Sequence, residues 1–365
     1  MGGAEPAILQ SVLPLVATAA TTSAVATWLA IGYARRRRLF DLPGRRRSHR
    51  SPTPRGGGIG IPLALIACTV AGIASLPELL QPSARAPAML AAAFIVALAG
   101  WVDDHGGLAA RWRLLAHLAA AALLLVAGPG APLLAPLPTA AALALGLLLA
   151  VGIAWWINLH NFMDGIDGLL ATQALFVLGV LAWLLQRPGA PPGAAAWTAA
   201  FAAAGAGFLP FNFPRARIFM GDVGSGVLGL LVAVALLWQL ATPSIAAASG
   251  LVLCSAFATD ATCTLLSRML RGRRWYSAHR EHLYQWLVRC GWSHARVVAL
   301  YGGWNLLVVL PLVTWMNHSP TLADNAIPPA GAGALVLAYG LAAAGWWGGK
   351  RWCMAHARRE RHALA

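Results

Sequence analysis

Residues 155–173 read WWINLHNFMDGIDGLLATQ, placing two asparagines and two aspartates inside one of the most apolar parts of the chain. A carboxylate at membrane depth costs roughly 2.5–3.5 kcal/mol even on insertion scales, so Asp164 and Asp167 need a purpose. Their surroundings decide the fold class. Of 365 residues, 59% are hydrophobic and 11% charged, and the mean hydropathy of +0.65 lies beyond what a soluble globular domain reaches. Apolar runs lie near 8–32, 57–79, 86–102, 114–128, 137–157, 163–185, 195–211, 224–240, 243–267, 296–316 and 329–349. Each is close to the length that crosses ~30 Å of hydrocarbon. The chain therefore reads as an all-α polytopic membrane protein with about eleven transmembrane helices, forming a single domain over 1–365.

Basic residues in short loops stay on the cytoplasmic side. No Lys or Arg precedes the first run, whereas Arg35, Arg36, Arg37, Arg38, Arg45, Arg46, Arg47, Arg50 and Arg55 follow it. Alternating from there leaves only Arg85 and Arg187 outside. This partition predicts a periplasmic N-terminus and a cytoplasmic C-terminus. The first run is too long for a signal-peptide core and lacks a basic region before it, so an uncleaved helix is expected. Topology also accounts for the net charge of +15, and no nucleic-acid partner is expected. The five cysteines show no CxxC spacing, and no disulfide is expected.

On this topology most acids gather at the cytoplasmic face. Asp103 and Asp104 end the third run in GWVDDHGGLAARWR, and Asp222 begins the eighth in FNFPRARIFMGDVGSG. Asn158, Asn161, Asp164 and Asp167 recur every three positions. Each step of three drifts by about 60° around a helix, so neighbours can share a face but all four cannot. Acids and amides at a water-filled helix end suit a cation with phosphates: Mg²⁺ takes hard oxygen ligands, often one or two carboxylates plus substrate phosphates. Arginines grip the remaining phosphate oxygens. RSHRSPTPRGGGIG at 47–60 fits the same picture, with a Pro-Thr-Pro turn, Arg55 and glycines whose backbone N–H groups can approach a phosphate. It is not a Walker A loop. In SAHREHLYQWLVRCGWSH, His279 and His282 stand three apart, with His294 twelve beyond His282. No cysteine or carboxylate spacing completes a zinc set, so a phosphate or sugar contact is the expectation. Asp260 lies within a span and calls for a partner such as Arg268 or a histidine; its role stays open.

Five blocks in this order, SHRSPTPRGGG, WVDDHGGLAARWR, NLHNFMDGIDGL, NFPRARIFMGDVGS and HREHLYQWL…GWSH, resemble the polyprenyl-phosphate N-acetylhexosamine-1-phosphate transferases of the MraY/WecA type, glycosyltransferase family 4. The resemblance implies a helical bundle whose active-site loops, here about 33–56, 103–113, 157–165, 212–223 and 268–296, open to the cytoplasm of a bacterial inner membrane. It implies undecaprenyl phosphate and a UDP-N-acetylhexosamine as substrates, Mg²⁺ as cofactor with Mn²⁺ as a substitute, and a homodimer as an unsurprising state. Residue by residue, it makes Asp222 the principal metal ligand and Asn161 the matching amide ligand. Asp103, Asp104, Asp222 and Arg113 would form the catalytic set. Asp164, Asp167, Asn158, His49, Thr53, Arg55, His279 and His282 would contact substrate. The family's usual lysine after the Asp-Asp pair is replaced by Arg113, and the only lysine is Lys350. The triple-histidine run of the MraY branch is absent; HREHLYQ resembles the O-antigen-initiating branch exemplified by WbpL, which uses 6-deoxy-N-acetylhexosamines. Two other classes compete: a polytopic transporter, which places ionisable residues at the midplane of broken, repeated helices, and a polyprenyl-diphosphate phosphatase.

Overall fold

The computed structural model of the chain describes residues 4–41, 51–75, 85–273, 279–318 and 329–363. His49 lies outside the described residues. The elements are α1 (Ala4–Arg37), β1 (Phe40–Asp41), β2 (Thr53–Pro54), α2 (Gly60–Ser75), α3 (Ala86–Gly106), α4 (Ala110–Val126), α5 (Ala131–Leu134), α6 (Thr139–Met163), α7 (Leu169–Leu184), α8 (Ala194–Asn212), α9 (Gly221–Leu240), α10 (Ala248–Leu253), α11 (Ser255–Leu270), α12 (Leu283–Arg289), α13 (His294–Trp304), α14 (Leu310–His318) and α15 (Pro329–Ala363). The protein is a helical multi-pass membrane protein, and among the described residues the strands form one minimal antiparallel pairing, β1 to β2. Among the described residues six stretches are long and apolar enough to cross a bilayer: Val12–Arg37, Ala86–Gly106, Thr139–Met163, Ala194–Asn212, Gly221–Leu240 and His294–His318. The last of these is α13 and α14 joined through a π turn at Asn305–Val309. Gly57–Gly72 and Leu169–Leu184 are shorter apolar helices.

Helix α9 is the axis. Val227, Leu228, Leu230, Leu231, Val232 and Val234 are fully buried, as expected of a helix apolar on every side. It is surrounded by α3, α6, α7 and α8, while α1 packs on α2 and α8, and α4 on α3 and α6. Leu143, Leu147 and Leu148 of α6 and Leu306, Leu307 and Val336 elsewhere stay exposed, the surface a hydrocarbon solvent covers. Hydrocarbon gives apolar helices no drive to associate, so close packing at small residues holds the bundle.

Two sequence expectations change. The boundary drawn at residue 157 moves: α6 runs on to Met163, so Asn158 and Asn161 sit on its last turns and residues 164–168 form the turn into α7. The run 243–267 is broken at Cys254, which ends α10 and precedes α11.

The packing of α3 on α9 yields a direct test. A Cβ on Gly100 would lie 2.5 Å from the backbone carbon of Asp222, whereas one on Gly152 of α6 would meet nothing within 4 Å. Gly100→Ala is expected to cost about 1–3 kcal/mol by overpacking. Gly152→Ala, gaining up to ~1 kcal/mol of helix propensity, should unfold at or above the wild-type temperature in detergent.

Candidate active site

The site forms where α3, α6 and α9 end or begin together. Residues 53–58 are zipped onto the segment before α9: Phe219 N donates to Pro54 O (2.8 Å), Gly57 N to Phe219 O (2.9 Å) and Gly58 N to Met220 O (2.9 Å). A Cβ on Gly58 would meet the Gly224 Cα at 2.4 Å. This corrects the sequence reading of the glycine run. The Gly57 and Gly58 amides serve the fold rather than a phosphate, because only a bare backbone can lie this close to α9. Thr53, equally buried, donates its hydroxyl to Ser51 O (3.2 Å).

The zip delivers Arg55. Its Nη2 lies 2.8 Å from Asp222 Oδ1 and its Nε 2.8 Å from Asp104 Oδ1. Burial opposes the Arg55 charge, but Asp104, Asp222 and Asp41 outweigh it and raise its pKa above the ordinary arginine value. Asp104 is buried and also accepts from Asp222 N (2.9 Å) and Val223 N (3.2 Å). It therefore caps the start of α9, where unpaired N–H groups and the helix dipole favour an anion. On the other side, the single nitrogen Arg113 Nη1 reaches Asp103 Oδ2 (2.7 Å) and Asp222 Oδ2 (3.0 Å). Asp103 Oδ1 accepts from Leu108 N in the turn that carries the chain into α4.

The four polar residues of the opening stretch diverge, two on the last turns of α6 and two in the turn that follows it. Asn158 donates to His117 Nδ1 (2.9 Å) on α4, one turn after Arg113. Asn161 donates to Ser225 Oγ (3.3 Å), one turn after Asp222 on α9. Asp164, in the turn, is pushed up to about 7 by burial first and by Asp222 next. Asp167 faces away from that group: its Oδ2 lies 3.2 Å from His294 Nδ1 and accepts from Ala216 N (3.1 Å). Ser225 and His117 were missed from sequence. Their signals were the spacing of three after Asp222 and of four after Arg113.

The histidine loop forms a neighbouring layer. His282 is buried, its ring 6.4 Å from Phe162 and 5.0 Å from His279. Of the two partners weighed for Asp260, the structure brings a histidine, His282, beside it and leaves Arg268 with Glu281. Asp260 accepts from Tyr301 Oη (2.6 Å), Leu283 N (2.7 Å) and Trp346 Nε1 (3.1 Å), with His282 Nδ1 at 3.8 Å. Hydroxyl, indole and amide donors settle a carboxylate here where a second buried charge would need its own desolvation.

Among the described residues, the carboxylates of Asp103, Asp104, Asp164 and Asp222 gather around the guanidiniums of Arg55 and Arg113, four acids to two bases. Among the described residues no three His, Cys, Asp or Glu side chains converge on one point. That donor set fits a hard divalent cation that takes one or two protein oxygens and completes its shell with phosphate and water.

The known proteins most relevant to this geometry agree on one lineage. The glycosyl transferase family 4 pattern matches residues 86–239. The decaprenyl-phosphate N-acetylglucosaminephosphotransferase of Mycobacterium tuberculosis is 30% identical over 337 residues, 82% of each chain. The chain belongs to glycosyl transferase family 4. Within that family, the phospho-N-acetylmuramoyl-pentapeptide-transferase of a Synechococcus strain is 33% identical over 291 residues, covering 71% of this chain and 75% of its own. The probable undecaprenyl-phosphate N-acetylglucosaminyl 1-phosphate transferase of Bacillus subtilis is 28% identical over 263 residues, covering 70% and 71%. The matched segment of family 4 contains Asp103, Asp104, Arg113, Asn161, Asp164 and Asp222, but not Arg55 or the histidine loop.

The loop predicts a pH response. Burial first, and His282 next, lower His279 from 6.5 to about 4; Arg268 and Arg273 hold Glu281 below its ordinary value against burial. Between pH 6.5 and 4 the unfolded His279 binds a proton that the folded one refuses, so stability falls as pH falls through that window. Glu281 acts in the same direction at lower pH. Asp164, raised to about 7, works the other way in the same window, so the readout is a difference: between pH 7 and 5 the unfolding temperature in detergent should shift less toward instability in His279→Gln than in wild type.

Proposed function

We propose that the protein transfers an N-acetylated hexosamine or 6-deoxyhexosamine 1-phosphate from a UDP-sugar to undecaprenyl phosphate. UMP is released, in the first membrane step of O-antigen or related cell-envelope glycan synthesis. The observation that carries this reading is the acid surplus around Asp222, bracketed by Arg55 and Arg113, in a chain of this family. The relatives named for polyprenyl-phosphate N-acetylglucosamine phosphotransfer support the substrate class.

In the reaction a lipid-phosphate oxygen attacks the β-phosphorus of the UDP-sugar. The bond from that phosphorus to the bridging oxygen breaks, and UMP leaves with the bond's electrons. Asp222 and Asn161 are the residues that would hold Mg²⁺, or Mn²⁺ in its place; when bound, it neutralises diphosphate charge. Arg55 and Arg113 orient Asp222 and present positive charge to the transferred phosphoryl group, the electrostatic part of the work. A lipid phosphate with a second pKa near ~6 is largely dianionic at pH 7, so a general base adds little. Asp103 accordingly positions Arg113 and the nucleophile, and Asp104 acts through α9. Asp164 and Asn158 line the nucleotide side, with His279 and His282 toward the sugar. Asp167 serves there by holding the 213–217 segment.

The same reading makes residues 1–365 one domain in the bacterial cytoplasmic membrane, with eleven spans, a periplasmic N-terminus, a cytoplasmic C-terminus and a homodimeric state. The assay is UMP release by purified protein in detergent with undecaprenyl phosphate, Mg²⁺ and a panel of UDP-N-acetylhexosamines. Lipid-dependent, EDTA-sensitive release supports the transferase, and the best donor names the branch. Polyprenyl-diphosphate hydrolysis without UMP release would favour a phosphatase instead.

Two substitutions sharpen it. Asp222→Asn is expected to abolish release while the protein still folds; more than about a tenth of wild-type activity, roughly 1.4 kcal/mol of barrier, would argue against a principal ligand. Because one Arg113 nitrogen makes both carboxylate contacts, a lysine ammonium can replace it. Arg113→Lys should stay within about tenfold of wild type, and Arg113→Gln should lose about a hundredfold or more.

A further inference from the structure

Tyr284 is fully buried at the start of α12, in the histidine loop, yet its hydroxyl leaves that loop. It donates to Phe162 O at 2.9 Å. Phe162 belongs to the last turn of α6, where carbonyls lack intrahelical partners, and it stands between Asn161 and Asp164. The fit is close: a Cβ on Gly165 would come within 2.1 Å of Tyr284 Oη, so glycine is required where the hydroxyl arrives. At its other end Tyr284 is fixed by Asp260, whose Oδ1 accepts from Leu283 N (2.7 Å) and whose Oδ2 accepts from Tyr284 N (3.4 Å) and Tyr301 Oη (2.6 Å). Asp260 in turn is tied to α15 through Trp346 Nε1 (3.1 Å).

We propose that Tyr284 is a positioning residue: anchored by Asp260, it acts through the Phe162 carbonyl to fix the turn that presents Asn161 and Asp164. It touches neither substrate nor phosphate. The loop that would face the sugar and the turn that would face the cation and nucleotide are thereby one mechanical unit. The consequence for turnover rests on the transferase reading; the structural tie does not. A hydrogen bond of this kind is a local constraint, so its loss loosens the turn more than it unfolds the protein.

The test uses the full chain in detergent. Tyr284→Phe removes one hydroxyl, and Tyr339→Phe is the matched control, since Tyr339 Oη donates to Leu251 O at 2.9 Å in another part of the bundle. Hydrogen exchange of peptides covering 158–168 is compared with the rest of the chain. Mn²⁺ binding is titrated by electron paramagnetic resonance, and UMP release is measured at saturating donor. Tyr284→Phe is expected to speed exchange in 158–168 by about fivefold or more, with little change elsewhere. It should weaken Mn²⁺ binding and lower kcat about tenfold, with KM for the lipid phosphate held within about twofold. Tyr339→Phe should do none of these. Unchanged exchange in 158–168, a loosening spread evenly over the chain, or faster exchange in 158–168 with kcat intact would each overturn the proposal. Faster exchange confined to 158–168 in a protein whose wild type releases no UMP would uphold the tie and overturn the transferase reading.

Discussion

Asp222 holds its place through opposed forces, and the rest of the cytoplasmic end is arranged around them. Its two oxygens face Arg55 at 2.8 Å and Arg113 at 3.0 Å, while its own backbone N–H is accepted by Asp104. Removing either arginine would leave a carboxylate among three others, which is the costly state for buried charge. Each partner is delivered by a different piece of chain: Arg55 by the ribbon zipped to residues 219–220, Arg113 by the first turn of α4, and Asp104 by the last turns of α3. None of these pieces can shift without disturbing the others. The axis helix α9 supplies the rigidity, since it is buried along almost its whole length.

Much of this was legible in the sequence because a membrane leaves few options. Apolar runs become helices, and acids within them mark sites. Among the described residues each run marked along the chain falls mostly on helix, although α10 and α11 divide one of them and the turn 164–168 opens another. Arg55, Asp103, Asp104, Arg113 and Asp222 are joined by ion pairs, Asp164 lies within their field, and Asn161 meets α9 one turn on, at Ser225. What the sequence did not disclose is direction. The glycines after Arg55 looked like a phosphate cradle, but their N–H groups close a backbone zip. Asp167 adds to the charge that raises Asp164, but its own contacts are His294 and Ala216 N. Asp260 has His282 Nδ1 at 3.8 Å, a histidine as the sequence suggested, but its hydrogen bonds come from hydroxyl, indole and amide donors. Such partners come from elements distant in sequence, and no local spacing encodes them.

The acids consequently divide by what their oxygens face. Asp104 accepts two amides at the start of α9, Asp167 accepts the amide of Ala216, and Asp260 accepts those of Leu283 and Tyr284. These three fasten loops and helix starts to the bundle. Backbone N–H groups there have no intrahelical partner, and an apolar surround makes a missing partner expensive. Asp222 and Asp164 are different: arginines hold both oxygens of Asp222, and burial, with Asp222 next, drives Asp164 toward neutrality, while Asp103 does both, accepting from Leu108 N and pairing with Arg113. A protein with so few acids thus uses them twice over, once as caps that replace absent solvent and once as a concentrated negative field. The second use depends on the first. The field is only as sharp as the loops carrying it are fixed, and those loops are fixed by carboxylates that accept backbone amides.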